Sequence, residues 1–218
     1  MAMKFLSGLD ASFLHLETAD MPMHIGGLML LDLPHGYHGD YFEEVKAQLI
    51  SRLHLLHAFT RKLALMPLEF SNPIWIEGVD IDIDYHIRKI TLPKPGTILQ
   101  LENAVAKLHA SLLDRSRPLW EFTVFDGLKS GRAAVYFKVH HAALDGQGAE
   151  ALAQTLLDVT PVARKVESVY TTKDMTKAEF QPAMADLIGA GIRNNLDQYW
   201  NTIKAVPAAV SASSAATP

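Results

Sequence analysis

None of the 218 residues is cysteine, and that absence removes disulfides, thiolate nucleophiles and cysteine-ligated zinc from consideration. Concentrated positive charge is missing too. The 20 Lys and Arg are spread along the chain and outnumbered by 24 Asp and Glu, for a net charge of −4. No nucleic-acid partner is therefore expected, because one would need a basic face, and no polybasic cluster marks anionic lipid. No uncharged apolar stretch approaches the roughly 18 residues needed to span a bilayer. Met1 to Leu9 holds one Lys and no apolar run of signal-peptide length, so the expectation is a soluble, cytoplasmic protein. The Gly-x-Ser-x-Gly elbow is missing as well. With no cysteine either, the usual activated nucleophiles leave no signature, which favours direct transfer to an acceptor over a covalent enzyme intermediate.

What is present is the composition of a folded chain. Apolar residues make up 49% and charged residues 20%, enough to build one large domain or a domain with an extension. Phe5 to Glu17 reads as irregular or a short helix. His24 to Leu33, apolar and bounded by Pro22 and Pro34, reads as a strand. Asp40 is placed to cap a helix from Tyr41 to about Leu56, with Phe42, Val45, Leu49, Leu53 and Leu56 as its buried stripe. Val79 to Ile87 alternates Val, Ile, Ile, Tyr, Ile with Asp, Asp, Asp, His, which predicts a strand with a solvated acidic face. A calcium-loop reading of those aspartates fails, because Tyr85 stands where the loop needs Gly and Thr91 where it needs Glu.

Thr97 can cap a helix reaching Leu113, with Ile98, Leu101, Val105, Leu108 and Leu112 as its stripe. Leu119 to Phe125 and Ala133 to His140 predict a hairpin around the Asp-Gly and Ser-Gly pairs. Helices are expected over Gly148 to Val159 and Ala178 to Ala205, with a connecting loop from Pro161 to Thr176. The fold class is mixed α/β, a mixed sheet flanked by helices. Three regions are expected: 1–160 as the folded unit, 161–206 as loop plus long helix, and 207–218 as an uncharged, low-complexity tail.

The chemistry concentrates at His140-His141-Ala142-Ala143-Leu144-Asp145-Gly146, at the end of an apolar strand. Neighbours on a strand face opposite ways. His141 falls in phase with Val135, Phe137 and Val139, and His140 with Tyr136 and Lys138. An imidazole exposed at a rigid strand end suits a general base, whose ordinary pKa lies near neutrality. Asp145 can orient the loop or ring, and Gly146 allows a backbone angle closed to side chains. The same diverging geometry argues against a metal held by both histidines, and no further ligand has a telling spacing. An ordinary polar strand end competes on even terms. Gly146-Gln147-Gly148-Ala149-Glu150-Ala151 superficially matches a dinucleotide-binding turn, but a polar stretch separates it from its strand.

The spacing His-His-x-x-x-Asp-Gly resembles the active-site motif of the CoA-dependent acyltransferase superfamily, which includes chloramphenicol and carnitine acyltransferases and condensation domains. Leu6 to Leu14, Met23-His24-Ile25-Gly26-Gly27 and the Pro118-Leu119-Trp120 segment narrow this. They are similar to motifs of the bacterial wax ester synthase/acyl-CoA:diacylglycerol acyltransferase family. The resemblance implies a chloramphenicol-acetyltransferase-like half. It also implies an O-acyltransferase using acyl-CoA as substrate, with no cofactor, and a long-chain alcohol or diacylglycerol as acceptor. His141 would be the base, His140 and Asp145 supports, and Pro118, Leu119 and Trp120 shapers of fold or channel; Trp120 by itself reads as a core aromatic. A condensation-type domain fed by carrier-bound acyl groups and a non-catalytic lipid-binding half are the alternatives. Family members are about twice this long, in two similar halves. The resemblance therefore implies a C-terminal half as partner, separate or missing, little activity without it, and peripheral association with the inner membrane or lipid inclusions.

Overall fold

The computed structural model describes residues 4–64, 66, 71–77, 81–144, 148–158, 160, 164–166 and 183–214; for 148, 149, 198 and 201–214 it describes the backbone alone. The chain opens with a two-residue strand β1 (Lys4–Phe5) and helix α1 (Gly8–Leu16). Ser7 caps α1 by accepting the Asp10 N–H at 3.1 Å, while Ala11 and Leu14 turn inward. Strand β2 (His24–Leu31) follows, then α2 (Tyr41–Arg52). Asp40 caps α2 as expected, accepting from Phe42 and Glu43. The helix stops at Arg52, and Leu53–Leu55 tighten into a 3₁₀ turn that still buries Leu53.

A short turn of helix α3 (His57–Thr60) leads to β3 (Arg61–Ala64) and β4 (Ile74–Glu77). These pair antiparallel in a small sheet of order β1-β4-β3. The strand expected over Val79 to Ile87 is not formed. Residues 79 and 80 lie outside the described residues, and Asp82 caps a single helical turn, α4 (Ile83–His86), by accepting the Tyr85 N–H. Extended backbone begins at Ile87, in β5 (Ile87–Thr91). The alternation breaks at His86, which belongs to the polar side of the pattern yet is buried together with Ile87, while Ile83 and Tyr85 are only half-buried.

Helix α5 (Ile98–Ala110) carries the capping box of Thr97 and Gln100. It ends three residues before the expected Leu113, and its inward face is Leu101, Ala104, Val105 and Leu108. Ile98 and Leu112 remain exposed; Leu113, beyond the helix, is the leucine that buries. Strands β6 (Trp120–Asp126) and β7 (Ala133–His140) form the predicted hairpin. Gly127 and Gly131 take positive φ (79° and 73°) at its turn. The main sheet has order β2-β7-β6-β5, antiparallel except for the β5–β6 pair. One face packs on α5 through Phe125, Ala134 and Tyr136. The other packs on α2 and α6 (Gly148–Leu156) through Phe122, Val124, Val135 and Val139.

Helix α7 (Met184–Ser214) seats Leu187 and Ala190 against Met66 and Ile74 of the small-sheet side. Its helical backbone runs on through most of the stretch expected to be a tail; 215–218 and 178–182 lie outside the described residues. The five Ala of residues 205–215 favour helix, but Pro207 within it opposes one, and the extension has no local explanation in propensity. Most of the loop expected from 161 to 176 also lies outside the described residues.

Candidate active site at the end of the central strand

The hairpin delivers β7 to its last residue, His140, which pairs in register with His24 of β2. The chain then turns into a 3₁₀ segment, His141–Ala143, held by the His141 N–H donating to Met23 O at 2.8 Å. The two histidines diverge as strand geometry requires. His140 is fully buried, whereas His141 is exposed. Asp145 and Gly146, expected to support the site, lie outside the described residues.

His140 is locked in one protonation state by its neighbours. Its Nδ1 accepts the Ala142 N–H at 3.0 Å, so the ring proton belongs on Nε2, which stands 3.2 Å from Glu17 Oε1. Burial, the largest influence, pulls the imidazole down to about 4; the Glu17 carboxylate opposes this, and Arg115 and His24 reinforce it. At neutral pH His140 is uncharged.

Glu17, the cap residue of α1, is equally enclosed, its side chain 1% exposed. Arg115 donates to its Oε2 through Nη2 at 2.8 Å and Nε at 3.2 Å, and the Met23 N–H donates to its Oε1. Burial on its own would raise this carboxyl, but the Arg115 and Met23 hydrogen bonds and the fields of His140 and Arg115 outweigh it. The carboxyl sits below its usual range. Arg115 also donates to Leu14 O at 2.7 Å, tying the end of α1 to the loop before β6.

His141 has a different kind of neighbour. The ring of Phe13, from α1, stacks on its imidazole with centroids 4.2 Å apart and planes 16° from parallel. Phe13 and Glu17 are four residues apart, one turn of α1. One helix side therefore attends both histidines.

On the other face of the strand, Lys138 is buried and spans the C-terminus of α5. Its Nζ donates to Leu108 O at 2.9 Å and Ser111 O at 2.8 Å, with Glu121 Oε2 at 3.6 Å. Burial depresses the lysine, against the pull of Glu121. His24 Nε2 lies against His109 O, and burial lowers its pKa. These contacts pin β7 and β2 immediately before the motif.

Pro118, Leu119 and Trp120 are all buried in the core. Trp120 donates to Phe59 O at 3.0 Å and stacks on His86 at 4.3 Å. Leu119 O accepts the His140 N–H at 3.0 Å, so this segment braces the motif from within the core. Farther along the face that carries Val135, Phe137 and Val139 is an apolar cleft of about 200 Å³, lined by Met29, Val45, Leu49, Phe122, Val135 and Leu156 among others.

Glu17, Arg115 and Phe13 were invisible as a group to the sequence, because Arg115 is 98 residues from Glu17 and the helix carrying Phe13 and Glu17 lies more than a hundred residues before the motif. The one local signal was the phase of Phe13 and Glu17 in the opening segment.

A mixed sheet with helices on both faces has the chloramphenicol-acetyltransferase-like fold. The starter condensation domain of rhizomide synthetase RzmA shares this fold, with a TM-score of 0.54 at 13% identity over 72% of this chain and 36% of that one. The sequence profile of the wax ester synthase/diacylglycerol acyltransferase catalytic domain matches residues 6–217, and the chain belongs to that family. The wax ester synthase/diacylglycerol acyltransferase from Marinobacter aquaeolei VT8 superposes with a TM-score of 0.60 and 37% identity, covering 69% of this chain and 37% of that one. The Mycobacterium tuberculosis protein named "Probable diacyglycerol O-acyltransferase tgs2" is 39% identical over 161 residues, which are 74% of this chain and 36% of that protein. The match thus spans little more than a third of the length of these relatives.

Proposed function

We propose that this chain supplies the histidine-bearing half of an acyl-CoA-dependent O-acyltransferase. The observation that carries the reading is the contrast between the two motif histidines. His140 is buried, neutral and committed to Glu17 and the Ala142 N–H, whereas His141 is exposed beside it on the same rigid strand end. Only His141 is free to meet a substrate hydroxyl.

In the proposed reaction a ring nitrogen of His141 takes the proton of a long-chain alcohol or diacylglycerol as its oxygen attacks the acyl-CoA thioester carbon. The tetrahedral intermediate collapses by breaking the C–S bond. The departing CoA thiolate recovers the proton from the imidazolium, leaving free CoA and a wax ester or triacylglycerol. No covalent enzyme intermediate is needed. Glu17, Arg115 and Lys138 hold the strand end still, and Asp145 and Gly146 complete the motif in sequence. The family's second half is the proposed partner that completes the acyl-CoA site, and a peripheral lipid surface is the proposed location.

The test is turnover by the enzyme containing this chain, with acyl-CoA and either a long-chain alcohol or diacylglycerol. His141→Ala should lower kcat by about 10²–10⁴-fold, the usual yield of a positioned base. Unchanged turnover in His141→Ala would leave a non-catalytic lipid-binding role. Transfer only from a carrier-bound acyl donor would move the chain to the condensation class. Residues 1–218 by themselves should show little transfer, and normal rates from the purified chain would refute the two-half reading.

A further inference from the structure

General bases of the histidine type are ordinarily oriented by a carboxylate or carbonyl on their second ring nitrogen. Here the buried carboxylate of the site, Glu17, faces His140 instead. Among the described residues, the side chain recorded against the His141 ring is Phe13, stacked at 4.2 Å and 16°. Building on the reading of His141 as the base, we infer that Phe13 is its positioning residue. It is an aromatic platform that holds the imidazole plane, leaving the ring edge and the opposite ring face to the substrates.

The geometry of α1 makes Phe13 suited to the task. The helix cannot rotate about its axis without undoing the burial of Ala11 and Leu14 and the Arg115 donation to Leu14 O, and the chain just before it is held by the Leu6 N–H donating to Pro73 O at 2.9 Å. One turn on, Glu17 is held by Arg115 and Met23. The Phe13 ring is thus carried by a segment fixed at both ends. The His141 backbone, in turn, is fixed by its N–H donation to Met23 O at 2.8 Å. With both backbones set, ring-on-ring contact selects one orientation of an exposed side chain that would otherwise sample several. A nearly parallel stack covers one face of the imidazole and leaves free the in-plane directions along which its nitrogens accept or donate a proton. A platform of this kind acts on orientation, so it should influence the chemical step more than acyl-CoA binding.

The experiment compares Phe13→Leu, which keeps apolar volume without a ring, with Phe13→Tyr, which keeps the ring. In the active enzyme, Phe13→Leu should lower kcat by about 3- to 10-fold, the range that one aromatic pair supports. KM for acyl-CoA should stay in place, and Phe13→Tyr should restore kcat. Independently of activity, the ring protons of His141 in the 218-residue chain should resonate upfield through the ring current of Phe13. They should move downfield in Phe13→Leu and stay upfield in Phe13→Tyr. Equal kcat in the two variants, or a loss confined to KM, would overturn the platform role. So would His141 resonances indifferent to the Leu replacement. If His141→Ala retains turnover while the resonances behave as stated, the stack stands and the base assignment falls instead, so the two failures are separable.

Discussion

His140 and Glu17 illustrate how much electrostatic work one buried pair does before any chemistry begins. Each is enclosed: Arg115 and the Met23 N–H hold the Glu17 carboxylate, and His140 accepts the Ala142 N–H on Nδ1 while its Nε2 stands 3.2 Å from Glu17 Oε1. Removing Glu17 takes away the acceptor of Arg115 and of the buried Met23 N–H. Because His140 is neutral and Arg115 keeps access to solvent, Glu17→Ala should cost about 1–3 kcal/mol, read as a fall in Tm of roughly 2–12 °C for a domain of this size. The pH dependence has a definite sign. The folded His140 is depressed to about 4 from 6.5, so between those values the unfolded chain binds more protons. Stability is thus fully present above about pH 6.5 and lost as pH falls towards 4. Glu17, also lowered when folded, extends the loss below 4.5. Denaturant midpoints measured from pH 7 to 4 should show that decline, and His140→Gln should flatten its upper part. A midpoint independent of pH over this window would refute the assignment of a neutral, buried His140. At this scale the motif histidines could be read from strand phase, because period two is a local property. Their partners could not, since Arg115 reaches Glu17 from 98 residues away and only the folded chain brings them together.

Elements whose ends are set by their own side chains were the legible ones. Asp40 and Thr97 start α2 and α5 where the caps stand, and the hairpin follows from its two glycines. Boundaries set by tertiary contact were not. The Val79–Ile87 alternation gave way to an Asp82-capped turn because His86 buries against Trp120, and α5 stops short because Leu113 packs where Leu112 was expected. The cleft between the sheet and the helices α2 and α6 is a similar product of packing. Val135 lines it, and six residues of strand separate Val135 from His141, roughly 20 Å at the usual rise. If the cleft receives the far end of the acyl group, only long chains reach it. Val135→Phe should then reduce kcat/KM for long-chain acyl-CoA while sparing short-chain donors. Each excluded methylene would forfeit about 0.8 kcal/mol, roughly a fourfold loss. A series of acyl-CoA lengths measures this directly, and a uniform loss across the series would refute the cleft as a chain-end site.

At the scale of the whole molecule, the sheet order and the packing of α5 on one face with α2 and α6 on the other follow from connections that no local pattern encodes. Helix α7 could be read as amphipathic, but which side faces the body could not. Leu187 and Ala190 dock on the small-sheet side, with Asn194 donating to Ser71 Oγ, while Met184, Ile188, Ile192, Leu196 and Tyr199 line the opposite, exposed side. No described helix is long and apolar enough to cross a membrane. An exposed stripe of that length is nevertheless suited to lie on a lipid surface. The charged residues of α7, Asp186, Arg193, Asp197 and Lys204, sum to zero, so attraction to anionic headgroups would contribute little and apolar burial would have to drive such a contact. Trp200 reports on it, because it is 56% exposed while Trp75 and Trp120 are buried. Its emission should shift to the blue on adding phosphatidylcholine vesicles loaded with triacylglycerol. High salt should not reverse the shift, since salt screens charge but not apolar burial. Ile192→Glu should abolish it by placing a charge in the stripe's centre. A shift seen only with anionic vesicles and erased by salt would assign the contact to basic residues elsewhere. No shift at all would leave this side of α7 to protein, which the family's remaining length could supply.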